Sequence, residues 1–359
     1  MIDPHVHLRD WGQSYKETIA HGLSVAERIG LSGVFDMPNT SPAINSRALL
    51  DKRLAEAAKV NSSVFYGVYV GLTSDPAQIR EVVQAYKYFF PKENSRVGAV
   101  GLKMFAGHSV GNLGIIEPQD QRRVYRNLVE EEYDGVLAVH CERESLLLPF
   151  LWNPSEPKSH SFARPSLSEV GSVSDQIEFA EGCGFKGTLH ISHVSVPDSV
   201  ELIEQARRRG KIKITCGVTP HHCMLDYEAL PLSGQGLLGK VNPPLRSHNS
   251  SNRMFTLLRE GKIDWIETDH APHTLAEKTG KTFDSKGQPQ YMSGFPGLPF
   301  YPHFLEVMGR CDFPSELIRN LTHGNICRTF GINLPERNVV PKMDLHREYE
   351  VDVYGGLRK

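Results

Sequence analysis

An excess of charge of either sign is missing from this chain: 40 Lys and Arg stand against 42 Asp and Glu over 359 residues, a formal net charge of −2. That balance gives no electrostatic handle for nucleic acid or an anionic membrane, so neither is expected as a partner. CxxC spacing is missing too, because the six cysteines (Cys141, Cys183, Cys216, Cys223, Cys311, Cys327) are scattered. In a chain this long the pattern argues against a disulfide framework and predicts reduced thiols in a cytoplasmic protein. No apolar run reaches membrane-spanning length, and no signal-peptide pattern precedes Asp3. Repeats of fixed period and low-complexity tracts are absent, which excludes a solenoid. Histidine, in contrast, is plentiful at 16 residues, and many of these fall at the ends of strand-like segments.

Hydrophobic residues make up 40% of the chain, enough for a large core. Short β-branched runs alternate with longer helical stretches. Strands are predicted over residues 33–37, 63–71, 97–105, 135–140, 187–194, 211–218 and 263–268. Helices are predicted over 46–59, 77–89, 121–131, 174–181, 199–208, 252–259 and 300–308. This alternation implies parallel strands joined by helical crossovers, and short apolar strands suit a sheet covered on both faces. The fold class expected is an α/β (β/α)8 barrel, which takes roughly 250 residues before insertions. The barrel is expected over residues 1–331, followed by a charged tail over 332–359 with a strand at 348–353. Residues 153–173, rich in Pro and Ser, and 273–299, polar and then rich in Gly and Pro, read as long loops.

Residues able to bind metal recur at one place, the C-terminal ends of the strands. The opening DPHVHLR puts His5 and His7 on one side of a strand, because side chains alternate with a period of two. Two imidazoles on one face can chelate a metal. Asn39 follows the next strand, and Lys103, His140, His193 and Asp269 each mark the end of a later one. Each has a plainer reading. An HxH pair alone is weak, a lone strand-end His is more often structural, Lys103 could snorkel, and Asp269 could cap a helix. Their joint occurrence in order on one barrel favours a site at its mouth, where the active sites of this fold lie. A buried lysine with a depressed pKa has a neutral amine able to add CO₂, and the resulting carbamate could bridge two metals. The expected centre is therefore two Zn²⁺ per chain, bridged by carboxylated Lys103 and a hydroxide. His5 and His7 would hold one ion, and His140 and His193 the other. Asp269 would ligate the first and act as the catalytic base and then acid.

Together DPHVHLRD, DMPNT, GLKMF, VHCE, HISHVS, VTPHH, VNPPLR, TDHAPHT and SGFPGLP resemble dihydroorotase, of the amidohydrolase superfamily. The resemblance runs from Ile2 to about Phe330. It implies a metal-dependent hydrolase of a cyclic amide, with two zinc ions and a carboxylated lysine. The reaction implied is the reversible cyclisation of N-carbamoyl-L-aspartate to L-dihydroorotate in pyrimidine synthesis. The matching positions make Arg9, Asn39 and His273 contacts to the substrate carboxylate. They place Asn242 along the ring, and Ser293 and Gly294 at the ring amide. Residues 106–114, which follow Lys103 and are rich in Gly, read equally as a lid or as a plain surface loop. His221 and His222 read as structural. Gly217 departs from the family, where many relatives have an acidic residue. The chain begins close to the HxH motif, so the small β-sandwich of many relatives is expected to be missing or vestigial, which leaves an edge open to cover by another subunit.

Three rivals remain open. A dihydropyrimidinase or allantoinase would share the metals, but its neutral ring gives no reason for Arg9, Asn39 and His273 to converge. An inactive homologue scaffolding a transcarbamoylase would be expected to have lost ligands. A mononuclear deaminase-like hydrolase would not need Lys103. A small-molecule substrate is expected, and a homo-oligomer or an assembly with a transcarbamoylase is left open.

Overall fold

The computed structural model describes residues 1–108, 113–232, 234–337 and 345–355. Eight parallel strands run in sequence order: β1 (Ile2–Val6), β2 (Gly33–Asp36), β3 (Phe65–Gly71), β4 (Val97–Ala106), β5 (Val136–Cys141), β6 (Thr188–Ile191), β7 (Lys213–Val218) and β8 (Trp265–Ile266). The expected (β/α)8 barrel is the fold found. Every residue of β1, β2, β3 and β5 is buried, as a sheet wrapped by helices requires.

The helices between strands form for local reasons. Thr18, Ser46 and Ser247 each accept a backbone N–H of the first turn that follows. The helix Pro118–Glu130 buries Gln121, Val124, Tyr125 and Leu128, an i, i+3, i+4, i+7 stripe that faces the strands. Outward-facing strand residues such as Val34, Val68, Leu102 and Val139 join this helical layer in one core. Alternate residues Phe35, Tyr69, Val100 and Trp265 form a second cluster that fills the barrel interior, with Phe330 packed against it.

Closure falls to side chains and single bridges, because β8 has only two residues. The Thr268 amide and hydroxyl donate to the Asp3 carboxylate at 3.1 and 2.5 Å. The His7 amide donates to the His270 carbonyl at 2.7 Å. Thus β1 is tied directly to the segment that follows β8.

Two expectations are corrected. Residues 153–173 are not one long loop: they contain the helix Ser159–Ala163 and the start of Ser166–Cys183. Pro165 is the N-cap of the second helix, its carbonyl accepting the Ser168 amide and hydroxyl, and the first turns bury Ser168, Glu169 and Ser172. Glu169 there accepts the Ser195 and Val196 amides and the Ser199 hydroxyl. Polar residues that read as loop are the buried face of a helix. Residues 348–353 form no strand. Leu345, Val351 and Tyr354 instead enter the core, and Tyr354 stacks on Phe300 with ring centroids 3.7 Å apart. The second predicted loop carries a short capped helix, Leu275–Lys278, and a hairpin of β9 (Thr282–Phe283) with β10 (Pro289–Gln290). Among the described residues no helix is long and apolar enough to cross a membrane.

Candidate metal centre

Ten of the twelve predicted site residues line one cavity at the C-terminal mouth of the barrel: His5, His7, Arg9, Asn39, His140, His193, Asn242, Asp269, Ser293 and Gly294. The other two lie behind its wall. Lys103, on β4, is fully buried. His273 backs Arg9, whose guanidinium reaches His273 Nε2 at 3.1 Å. Residues 109–112 of the predicted lid lie outside the described residues.

The strand ends aim the donors at one another. His7 Nε2 and His5 Nε2 lie 2.9 and 3.4 Å from Asp269 Oδ1. One ligand atom from each of the three lies within 4.8 Å of the others, the spacing of a metal site. The Nδ1 of His7 meets the Asn39 amide oxygen at 2.8 Å, which fixes its tautomer with Nε2 left for the centre. Across the mouth, His140 Nδ1 and His193 Nε2 face each other at 3.2 Å. His140 is braced from behind by Glu142, 2.9 Å from its Nε2, and Arg164 holds Glu142 at 2.6 Å. Lys103 Nζ donates to Ser192 Oγ at 3.1 Å, directly before His193 in sequence. His5 and His193 pack with ring centroids 5.0 Å apart, so the two histidine pairs share one site.

Burial sets the protonation. It lowers His5 to about 4, with Lys103 adding to the effect, and it pushes His7, His140 and His193 below the usual imidazole value. All four rings are therefore neutral near pH 7, the form that binds metal. Burial also raises the Asp269 carboxyl and brings the Lys103 amine down to about 8. Four neutral imidazoles, a carboxylate shared by two of them and an amine with a depressed pKa fit a divalent metal centre.

The substrate side is less open than the sequence implied. Arg9 is brought down to about 10 by burial, which leaves it cationic, and its Nε donates to the Pro272 carbonyl at 3.3 Å. The Gly294 amide already donates to the Lys240 carbonyl at 2.9 Å. Its carbonyl accepts from Lys278 at 2.9 Å and keeps a second lone pair. Ser293 Oγ accepts from Lys240 Nζ at 2.7 Å. His221 and His222 do not line the cavity. His222 bonds the Thr219 hydroxyl and the Pro243 carbonyl, and His221 packs edge-on against Phe295.

Sequence reasoning missed the residues that hold the others. His160 bonds the Asn242 amide oxygen at 2.9 Å from inside the supposed loop. Glu142, Arg164, Ser192, Lys240 and Glu267 stand behind the donors. One signal was readable: Glu267 lies two residues before Asp269, on the same side of an extended strand end.

Residues 1–111 match the family described as Dihydro-orotase-like. The chain is 33% identical over 335 residues to a dihydroorotase of Halobacterium salinarum, covering 92% of this chain and 71% of that protein. It is 31% identical to a dihydroorotase of Methanosarcina mazei, covering 98% of this chain and 73% of that protein. A solved L-hydantoinase (dihydropyrimidinase) from Arthrobacter aurescens superposes with a TM-score of 0.78 at 21% identity, over 94% of this chain and 72% of that one, a likeness of fold. With the strand-end donors converging on one cavity and relatives of this identity spanning most of its length, the chain belongs to the dihydroorotase family.

Proposed function

We propose that this protein is a dihydroorotase that uses two zinc ions to interconvert N-carbamoyl-L-aspartate and L-dihydroorotate in pyrimidine synthesis. The observation that carries the reading is the convergence of two histidine pairs and Asp269 on one cavity whose rim holds a buried, cationic Arg9. His5, His7 and Asp269 would hold one ion, and His140 and His193 the other. Lys103, its amine brought down to about 8 by burial, would supply a further ligand as a carbamate, its nitrogen bonding to CO₂ and giving up an N–H proton to solvent. When bound, the ions supply Lewis acidity and acidify water.

The chain's own groups do the rest. Arg9 and Asn39 orient the substrate carboxylate, with His273 fixing the Arg9 fork from behind. Ser293 and the Gly294 carbonyl face the ring amide, and Asn242, held by His160, lies along the ring. In hydrolysis, water oxygen bonds to the amide carbon, the ring C–N bond breaks, and Asp269 moves the proton from water to the departing nitrogen. Cyclisation is the reverse, and it consumes one proton because two carboxylates become one. The hydantoinase likeness does not favour a neutral-ring substrate, since Arg9 and His273 would then have no charge to meet. We place the enzyme in the cytoplasm and leave room for a homo-oligomer or an assembly with a transcarbamoylase.

The test is loss of ring-amide absorbance from L-dihydroorotate at mildly alkaline pH, with and without chelator, beside dihydrouracil and allantoin. Chelator-sensitive turnover of dihydroorotate alone is expected. Turnover of dihydrouracil or allantoin instead transfers the reading to the sister amidases. No turnover by a folded, metal-loaded protein transfers it to the scaffold.

A further inference from the structure

Glu267 follows β8 and is buried to 1% exposure, with its carboxylate wedged between the two histidine pairs. Its Oε1 accepts the backbone N–H of His193. The same oxygen is the carboxylate atom facing His5 Nδ1, at 3.7 Å. His5 Nδ1 is buried and has no hydrogen-bond partner, while His5 Nε2 points to Asp269. Oε2 accepts from His190 Nε2 and Trp265 Nε1, each at 3.1 Å, so the carboxylate is fixed from its far side. His193 is itself in the left-handed region, at φ 40°, where a residue with a Cβ is strained. The N–H that Glu267 accepts belongs to that strained residue.

The neighbouring strand makes room for this carboxylate. Gly217 of β7 pairs with Trp265 of β8. A Cβ added at Gly217 would stand 2.5 Å from Glu267 Cδ and 2.6 Å from its Oε2. A side chain at 217 and the Glu267 carboxylate therefore compete for one space. Glycine on β7 is what lets β8 supply the acid.

Resting on the metal-centre reading above, we propose that Glu267 is a positioning residue of that centre, one carboxylate that orients a histidine of each pair. A histidine that binds metal through one nitrogen is usually aimed by an acceptor at the other, and removal of that acceptor typically costs about 10–100-fold in metal affinity. At 3.7 Å the contact is longer than a hydrogen bond, and Glu267 Oε1 is the carboxylate oxygen facing that otherwise unpartnered nitrogen. On the His193 side the same oxygen holds the main chain, so the ring of that residue leaves the backbone in a fixed direction.

The test uses the full chain stripped of metal and titrated with zinc against a chromophoric chelator, beside circular dichroism and thermal melting. Glu267→Gln keeps the volume and loses the charge. It should fold and lose about 10–100-fold in zinc affinity, with turnover falling in parallel. The double variant Gly217→Glu with Glu267→Ala returns a carboxylate to the same space from β7, and should regain most of that affinity. Gly217→Glu alone crowds the space and should weaken binding. A folded Glu267→Gln that binds zinc within about twofold of the unmodified chain overturns the proposal, as does a folded double variant that binds no better than Glu267→Gln. A purely structural role would lower the melting point and leave zinc affinity untouched. If the unmodified chain binds no zinc, the reading of the centre fails first and this one with it.

Discussion

At the scale of the residue, the mouth of the barrel is bought with backbone strain. Arg9, His193 and Asp269 have φ of 45°, 40° and 49°, and none is glycine. Such conformations cost about 1–3 kcal/mol each and persist where surrounding contacts fix them. Asp269 is fixed by His5 and His7 on its Oδ1. If it carries the proton, Asp269→Asn should cut kcat by about 10²–10⁴-fold while the chain still folds. Steady-state hydrolysis measures this, and near-normal turnover removes the shuttle from Asp269. Arg9 sits farther from the donors, against Pro272 and His273. Arg9→Ala should raise KM for dihydroorotate by about 10–100-fold, the worth of a hydrogen bond to a charged group, with zinc content unchanged. Zinc lost in proportion to activity would make Arg9 part of the metal centre instead.

Elements were legible where their period was strong. The predicted strands from β3 to β7 and most of the predicted crossover helices fall close to the residues found, because a largely apolar run or stripe marks them, but no helix is predicted at Ile19–Arg28, and Ser166–Cys183 starts well before the predicted 174. β8 was expected over 263–268 and forms a ladder only at Trp265–Ile266. The reason is physical: the Glu267 amide makes the last ladder bond, to the Val218 carbonyl, and the Thr268 amide then turns to the Asp3 side chain. Site residues were legible because strand ends share one mouth, which is a property of the fold. Their supports were mostly not: Glu142 lies only two residues from His140, but His160 and Glu169 act on Asn242 and Ser195 through tertiary contacts with no local pattern. Asp3 belongs to this class, and it makes barrel closure a testable property of one side chain. Asp3→Ala would leave the Thr268 amide and hydroxyl without their acceptor and should lower stability by about 1–3 kcal/mol. Urea unfolding measures this. No loss would mean that the backbone bridge from His7 to His270 closes the barrel by itself.

Across the whole molecule, the tail reaches back to the start of the chain. Tyr349 donates to Glu17 Oε2 at 2.9 Å, and Glu348 meets His21 Nε2 at 3.1 Å and also pairs with Arg28. Glu17 is the hub, bonded to His21 Nδ1 at 2.6 Å and to His270, the neighbour of Asp269, at 3.3 Å. Two titrations with opposite signs should bound this latch in pH. Burial alone would raise Glu17, but its bonds to His21 and His270 hold it at about 2, so its contribution is complete above its unfolded value near 4.5 and fades as pH falls toward 2. His21 is raised above 6.5, first by its bond to Glu17 and against partial burial, so its contribution is complete below about 6.5 and fades as pH rises through the folded value. The latch is then strongest between those limits. His21→Gln keeps a side chain of similar reach without the charge. The melting-temperature gap between it and the unmodified chain should be widest near about pH 5–6 and narrow steadily toward pH 9. A gap of constant size across that range would mean that the imidazolium has no part in holding the tail, and that the ring stacking of Tyr354 on Phe300 does so instead.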